Sequence, residues 1–285
     1  GYFKTIIVHI AKKDIVGYII LMKLKNKNIK TGPIYELVNT LVIALLLAGL
    51  IRTIFFQPFW IPTGSMKPTL LVGDFLFVNK FSYGFSRYSC PFSLCPITGR
   101  IFFSEPSRGD VVVFRHPRSG KDYIKRLIGL PGDKIKIEDG VVFINEEEII
   151  QNKLPNFLEE KREQGSMKSI PQCANEPVPI GSSNCIKYQA SEKLPEGITY
   201  SILDLGKEMG DNTQDFIIGE KQYFFLGDNR DNSLDSRYDS QFGGVGLVPA
   251  EYLIGKASMV VFSSKGRSIF YFWTWRKDRF FKVIN

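Results

Sequence analysis

The longest apolar stretch of the chain runs from Ile34 to Phe56, and its centre, Thr40 to Ile51, holds no charged residue. About 20 such residues cross a bilayer as a helix, so the pattern predicts a single membrane span over 34–56. Asn39 and Arg52 lie toward its ends, where an arginine snorkels to the headgroups. Phe55, Phe56, Phe59 and Trp60 stand where an aromatic belt would. A buried helix of a soluble protein is one alternative. A cleaved export signal is another, and the lack of an Ala-x-Ala site after the run speaks against it. Ile15 to Met22 is also apolar but too short to span.

Beyond the span the period shortens. Asp110 to Phe114 is a β-branched run, and Tyr123 to Leu130 is a second strand ending at Pro131-Gly132, a pair suited to the centre of a type II turn. Lys134 to Ile137 alternates polar with apolar, Asp139-Gly140 gives the strongest hairpin signal of the chain, and Val141 to Ile144 returns. Lys221 to Leu226 and Gly255 to Phe262 read as later strands. The fold class is therefore mostly β. Two stretches lose periodicity, Ser82 to Ser107 and 146–219; the longer one predicts a loop-rich inserted cap. The expected order is a basic segment (1–33), the span (34–56), a β domain in two parts (57–145 and 220–285) and the cap between them. The tail, Phe270 to Lys282, mixes aromatics with bases and suits a membrane-interface segment and a terminal packing helix equally.

Charge changes this picture in one respect. Residues 1–33 carry seven lysines against one aspartate, six of the net +8 of the 285-residue chain. The excess is a membrane-flanking block rather than a nucleic-acid face, so lipids and not nucleic acids are the expected partners. It places the N-terminus in the cytoplasm and the β domain outside. Four cysteines, Cys90, Cys95, Cys173 and Cys185, fit an external domain and allow three connectivities; a disulfide between Cys173 and Cys185 is the pairing expected within the cap. There is no Cys-x-x-Cys and the only histidines are His9 and His116, so no metal site is expected.

The candidate chemistry begins at Ser65, in a Gly-containing turn just past the span. A serine hydroxyl is a weak nucleophile until a base takes its proton. His116, in a loop-like Arg115-His116-Pro117 context, is the one histidine on the external side. A lysine does the same work when burial disfavours its ammonium form. Lys125 is the candidate, since Tyr123 and Leu127 share its strand face and give it apolar cover. A turn serine and a solvated strand lysine are the ordinary alternatives.

Three segments in this order resemble the bacterial type I signal peptidase (leader peptidase) family: Pro62-Thr63-Gly64-Ser65-Met66-Lys67-Pro68-Thr69-Leu70; Gly109 to Phe114 leading to Tyr123-Ile124-Lys125-Arg126-Leu127-Ile128-Gly129-Leu130-Pro131-Gly132-Asp133; and Gly227-Asp228-Asn229-Arg230-Asp231-Asn232-Ser233-Leu234-Asp235-Ser236-Arg237. The resemblance covers about half of the external chain and leaves the inserts and tail unmatched. It implies an antiparallel β-sheet catalytic domain with an inserted smaller cap, at the bacterial inner (plasma) membrane. It implies a serine endopeptidase that removes signal peptides from exported preproteins, with no cofactor. Ser65 matches the nucleophile and Lys125 the general base. Thr63, where many members have Ser, joins the Ser65 N–H in the oxyanion hole. Ser233 matches a hydroxyl that orients the lysine, and Asp235 and Arg237 a pair that braces the loop. Phe59, Ile61, Val113 and Ile124 match the pocket for the third residue before the cut; Ile61, Pro62, Thr63, Met66, Leu70, Tyr123 and Ile124 match the pocket for the first. Small residues are expected there, as in Ala-x-Ala. A departure follows Arg237, where a Gly-rich stretch from Tyr238 to Gly246 precedes Leu247-Val248-Pro249. A conjugative-transfer or pilin-type processing peptidase, and a catalytically silent membrane-tethered β binding protein, are the alternatives.

Overall fold

The computed structural model describes residues 32–54, 56–89, 95–266 and 270–284. The basic block, His9 and Cys90 lie outside the described residues. The chain divides into two compact units, 1–50 and 51–285. Among the described residues there is one α-helix, Pro33–Ile54, with Glu36 in its first turn, and no helix is long and apolar enough to cross a membrane. The helix stops short of the expected Phe56, which instead opens the strand Phe56–Trp60. Pro58 accounts for this: it cannot continue a helix, and it holds Gln57 extended.

The second unit is built on an eight-stranded sheet whose pairings are antiparallel. Its order is Phe56–Trp60, Asp74–Asn79, Leu253–Ser263, Val111–Arg115, Asp122–Gly129, Gln222–Leu226 and Val248–Pro249, with Lys282–Val283 also on Leu253–Ser263. The Val-Val-Val-Phe run shows why this strand is central. Val111 and Val113 enter one buried cluster with Leu76, Val78 and Ile254; Val112 and Phe114 enter another with Leu127, Phe225 and Leu253. A strand covered on both faces reads as a continuous apolar run rather than an alternation.

Asp122–Gly129 sets the site. Lys125 pairs with Val112 and Ile124 with Val113 on one side. On the other side Gln222–Leu226 reaches only Arg126 to Gly129. The backbone edge from Asp122 to Lys125 therefore has no strand beside it among the described residues. The next turn forms as expected, with Gly132 at φ 89° and Asp133 N–H donating to Leu130 O at 3.0 Å. Asp139 and Gly140 both take positive φ, 46° and 79°, as a two-residue hairpin demands. The hairpin of Lys134–Glu138 and Val141–Ile144 belongs to a separate four-stranded sheet. Its buried Ile135, Ile137, Val142 and Ile144 face Ile128, Phe224 and Leu226.

The segment 146–219 is less loop-rich than its composition predicts. It carries a three-stranded antiparallel sheet of Ile150–Glu159, Cys185–Lys193 and Thr199–Asp204. Most of Ile150–Glu159 is exposed, so no apolar alternation marks it. Leu194, Tyr200 and Ile202 join the same core cluster as Ile128 and Phe224. Cys173 and Cys185 form the expected disulfide, with Cα atoms 5.1 Å apart, and Cys95 is also disulfide-bonded. The tail forms short 3-10 turns, Phe272–Thr274 and Lys277–Arg279, not an α-helix. It docks through Arg279, which donates to both oxygens of the fully buried Asp74 at 3.0 and 2.5 Å.

Candidate active site

Ser65 sits in a run of tight turns that follows Phe56–Trp60. Lys67 N–H donates to Gly64 O at 3.1 Å and Leu70 N–H to Met66 O at 2.8 Å. Met66 and Leu70 are 1% and 0% exposed and pack into the cluster of Ile61, Leu76 and Val113. They pin the turn from beneath and do not line the cavity above it, contrary to their expected place in the first-position pocket. A motif position fixes the residue but not the side its turn presents, and here both side chains point into the core.

A second loop holds the turn from across the site. Asn229 N–H donates to Ser65 O at 3.0 Å, and Asn229 Nδ2 donates to Gly64 O at 2.9 Å. Gly227 passes so close that a Cβ there would lie 2.7 Å from Ser65 O and 2.2 Å from Ser233 Oγ. Only glycine fits that approach. The Ser65 N–H makes no hydrogen bond among the described residues.

Lys125 is 3% exposed, and its Nζ donates to Ser65 Oγ at 2.7 Å. Burial lowers its pKa from the ordinary 10.5 to about 8. The Asp235 and Asp228 carboxylates pull it up, and Arg237 pushes it down between them. Asp235 itself is engaged elsewhere. Arg237 donates to its two oxygens at 2.9 and 3.0 Å, and Gly227 N–H donates to Oδ2 at 3.0 Å. Asp235 and Arg237 are thus paired with each other, which keeps a carboxylate near Lys125 without ion-pairing it.

A cavity of about 580 Å³ opens over Ser65 and Lys125. Of the expected binding residues, Phe59, Ile61, Pro62, Val113, Tyr123 and Ile124 line it. Thr63 also lines it and is exposed, with its hydroxyl in no hydrogen bond among the described residues. Ser233 lines it too, but the expected contact with the lysine is not formed: Ser233 Oγ is buried with no hydrogen-bond partner. Lys125 Nζ is committed to Ser65 instead.

His116 is engaged away from Ser65. Its Nε2 meets Gly244 O at 2.7 Å, and its Nδ1 accepts the N–H groups of Arg118 and Ser119 at 3.2 and 3.1 Å. Both ring nitrogens tie loops together, the Gly-rich stretch after Arg237 among them.

Several site residues escaped the sequence reading. Asn229 stands in a Gly-Asp-Asn stretch whose local pattern suits a turn and does not single it out. Arg126, fully buried, donates to both oxygens of Asp228 at 2.8 and 2.9 Å and to Gly109 O at 2.8 Å, with Tyr200 of the insert 4.1 Å beneath its guanidinium. Lys67 pairs with Glu159 of the insert and donates to Gln164 Oε1 at 2.8 Å. Asp204, Asp211 and Asp231 bring carboxylate oxygens within 4.8 Å of one another; burial first, then mutual repulsion, raises Asp231 to about 6. An acidic cluster alone does not make a metal site.

Comparison with known proteins places the chain in a family. A family model described as signal peptidase, peptidase S26, matches residues 34–262. A signal peptidase I of Rickettsia massiliae (strain Mtu5) is 41% identical over 238 residues, covering 80% of this chain and 79% of its own. One from Rickettsia typhi (strain ATCC VR-144 / Wilmington) is 42% identical over 230 residues, covering 77% and 76%. A solved signal peptidase I from Enterococcus faecalis V583 is 24% identical, over 54% of this chain and 98% of that one, with a TM-score of 0.29 that adds no structural weight. On the extent of the family match and the identity of these relatives, the chain belongs to the signal peptidase family, peptidase S26.

Proposed function

We propose that Ser65 and Lys125 are the catalytic dyad with which this signal peptidase cuts the signal peptides of exported preproteins. The observation that carries the assignment is the 2.7 Å contact between the Nζ of a buried lysine and the hydroxyl of a cavity-lining serine. In its neutral form Lys125 takes the Ser65 proton as Oγ attacks the scissile carbonyl. It then gives that proton to the leaving amine, and a water repeats the sequence on the acyl-enzyme. The unpaired Ser65 N–H and the exposed Thr63 hydroxyl are the donors for the oxyanion, each worth about 3–4 kcal/mol. Ser233, buried without a partner, is free to accept a bond from the lysine as the reaction proceeds.

The open edge from Asp122 to Lys125 suits an extended substrate, whose backbone would pair there while its side chains enter pockets. Ile61, Ile124 and Val113 make bulky walls. They favour alanine at the first and third positions before the cut, and exclude larger residues by overpacking at about 1–3 kcal/mol each. Membrane anchoring belongs to the same reading. The helix Pro33–Ile54 exposes Leu37, Leu41, Leu45 and Leu46, and the lysine-rich block before it favours a cytoplasmic N-terminus with the β unit outside. The residues 146–219 are the cap of this reading, inserted between the two parts of the catalytic sheet.

The test is incubation of the detergent-solubilised protein with an Ala-x-Ala preprotein, followed by mass spectrometry. Cleavage after the second alanine, lost in Ser65→Ala, is expected. Cleavage elsewhere, or retained in Ser65→Ala, contradicts the assignment. Alkaline carbonate washing of membranes checks the anchor, which predicts that the full chain stays in the pellet.

A further inference from the structure

The insert contributes a wall to the catalytic cavity. Residues 164–169 form a small hairpin, with Gln164 bridged to Ser169 and Gln164 N–H donating to Ser169 O at 2.9 Å. Its base is clamped to the turn that carries the nucleophile. Gln164 Oε1 accepts from Lys67 at 2.8 Å, Gln164 Nε2 donates to Glu159 at 2.9 Å, and Glu159 pairs with Lys67. Gly165, at φ 63°, lies so close to Val72 that a Cβ would stand 2.6 Å from Val72 Cγ1. Downstream, the Cys173–Cys185 disulfide and the bond from Ala174 N–H to Ile186 O at 2.8 Å fix the segment to the three-stranded sheet. The hairpin is therefore held at both ends.

Along this polar segment two large apolar side chains are exposed, Met167 at 63% and Ile170 at 42%, and both line the cavity that holds Ser65 and Lys125. We propose that Met167 and Ile170 form a further substrate subsite, which receives a large apolar side chain of the preprotein at a position other than the first and third before the cut. The occupant follows from continuity with the catalytic cleft: whatever chain lies across the dyad passes this wall. The subsite differs in kind from the two small-residue pockets. Those are walled by branched side chains, Ile61 and Val113 buried and Ile124 half-buried, that exclude bulk, whereas a methionine on a hairpin is flexible and polarizable and adapts to many apolar shapes. The wall thus selects for apolarity, not for one residue. The proposal rests on the dyad reading for its placement.

The experiment uses the full-length solubilised protein and peptides with alanine fixed at the first and third positions. Leu is compared with Ser at each remaining position, from the sixth before the bond to the third after it. Wild type is expected to favour Leu by about tenfold in kcat/KM at one of these positions, expressed mainly in KM. In Met167→Ser/Ile170→Ser that preference should fall below about twofold, while discrimination against Leu at the first position persists. The apolar replacement Met167→Leu, with Ile170 kept, should retain it. No Leu preference in wild type at any scanned position, or a preference that survives in the double variant, overturns the subsite. A Ser65→Ala control that still cleaved would overturn the dyad instead, and the two outcomes are read separately.

Discussion

Two lysines of this molecule share a physical setting and differ in chemistry. Lys125 is 3% and Lys187 is 0% exposed, and burial lowers each from 10.5 to about 8. Lys187 faces Glu159 at 3.6 Å, and Glu159 also pairs with Lys67. Lys125 faces a serine hydroxyl at 2.7 Å, and the carboxylate nearest in effect, Asp235, is taken up by Arg237 and the Gly227 N–H. Burial makes a neutral amine accessible in both places. Only where a nucleophile lies within hydrogen-bond reach, and the nearby carboxylate is engaged elsewhere, does that amine become a base. Lys187 lies beside Glu159 inside the insert, whereas Lys125 lies against Ser65 and is the base of the proposed dyad.

The largest effect follows from breaking the dyad itself. Ser65→Ala and Lys125→Ala should each remove essentially all peptidase activity, and the double variant should lose little more, because groups acting as a unit are non-additive. Turnover of a preprotein by the three variants measures this. Lys125→Ala with near-normal turnover would remove the distinction between the two lysines.

Next in size is a cut where the two regions join. Arg126 binds Asp228 on the catalytic side and lies over Tyr200 of the insert. Arg126→Met leaves Asp228 buried and uncompensated, which should cost about 3–5 kcal/mol in denaturant unfolding. A loss well under 1 kcal/mol would mean the junction is not held by this pair.

A smaller change sharpens the role of the brace. Arg237→Ala frees Asp235 and removes a cation near Lys125, and both changes favour the ammonium form. The acidic limb of the rate should move to higher pH, by about one unit, with roughly tenfold less activity near neutrality. An unmoved limb would make Arg237 a purely structural residue.

The smallest effect expected is that of Lys187→Met. It should leave the position of the acidic limb in place, since Lys187 touches Glu159 and not Ser65.

The catalytic half of this picture was legible in the chain because its signals are local. Ser65 and Lys125 stand in distinctive motifs, Asp139-Gly140 announces a hairpin, and Val111 to Phe114 announces a doubly covered strand. The insert was not legible in the same way. Ile150–Glu159 is exposed along most of its length, and the neighbouring strand buries Lys187 and Glu192, whose partners Glu159 and Arg230 are distant in sequence. Charged residues inside a strand read as surface until their partners are known. Met66 and Leu70 show the converse limit: a motif named them, but packing turned them inward. Asn229 carries its meaning only through Ser65 O and Gly64 O, contacts that no local pattern encodes.

The central claim is that neutral Lys125 is the base, and the pH dependence of kcat/KM measures it most directly. A lysine at about 8 that must be deprotonated gives a rate rising tenfold per pH unit below that value and levelling above it. The same desolvation acts on stability: the folded form resists the proton that the unfolded chain takes up below 10.5, so this contribution declines as pH falls from 10.5 to about 8 and is constant below. The account predicts an acidic limb near 8 that persists in His116→Ala and in Lys187→Met. A limb near the ordinary lysine value, or one that disappears with His116, would contradict it.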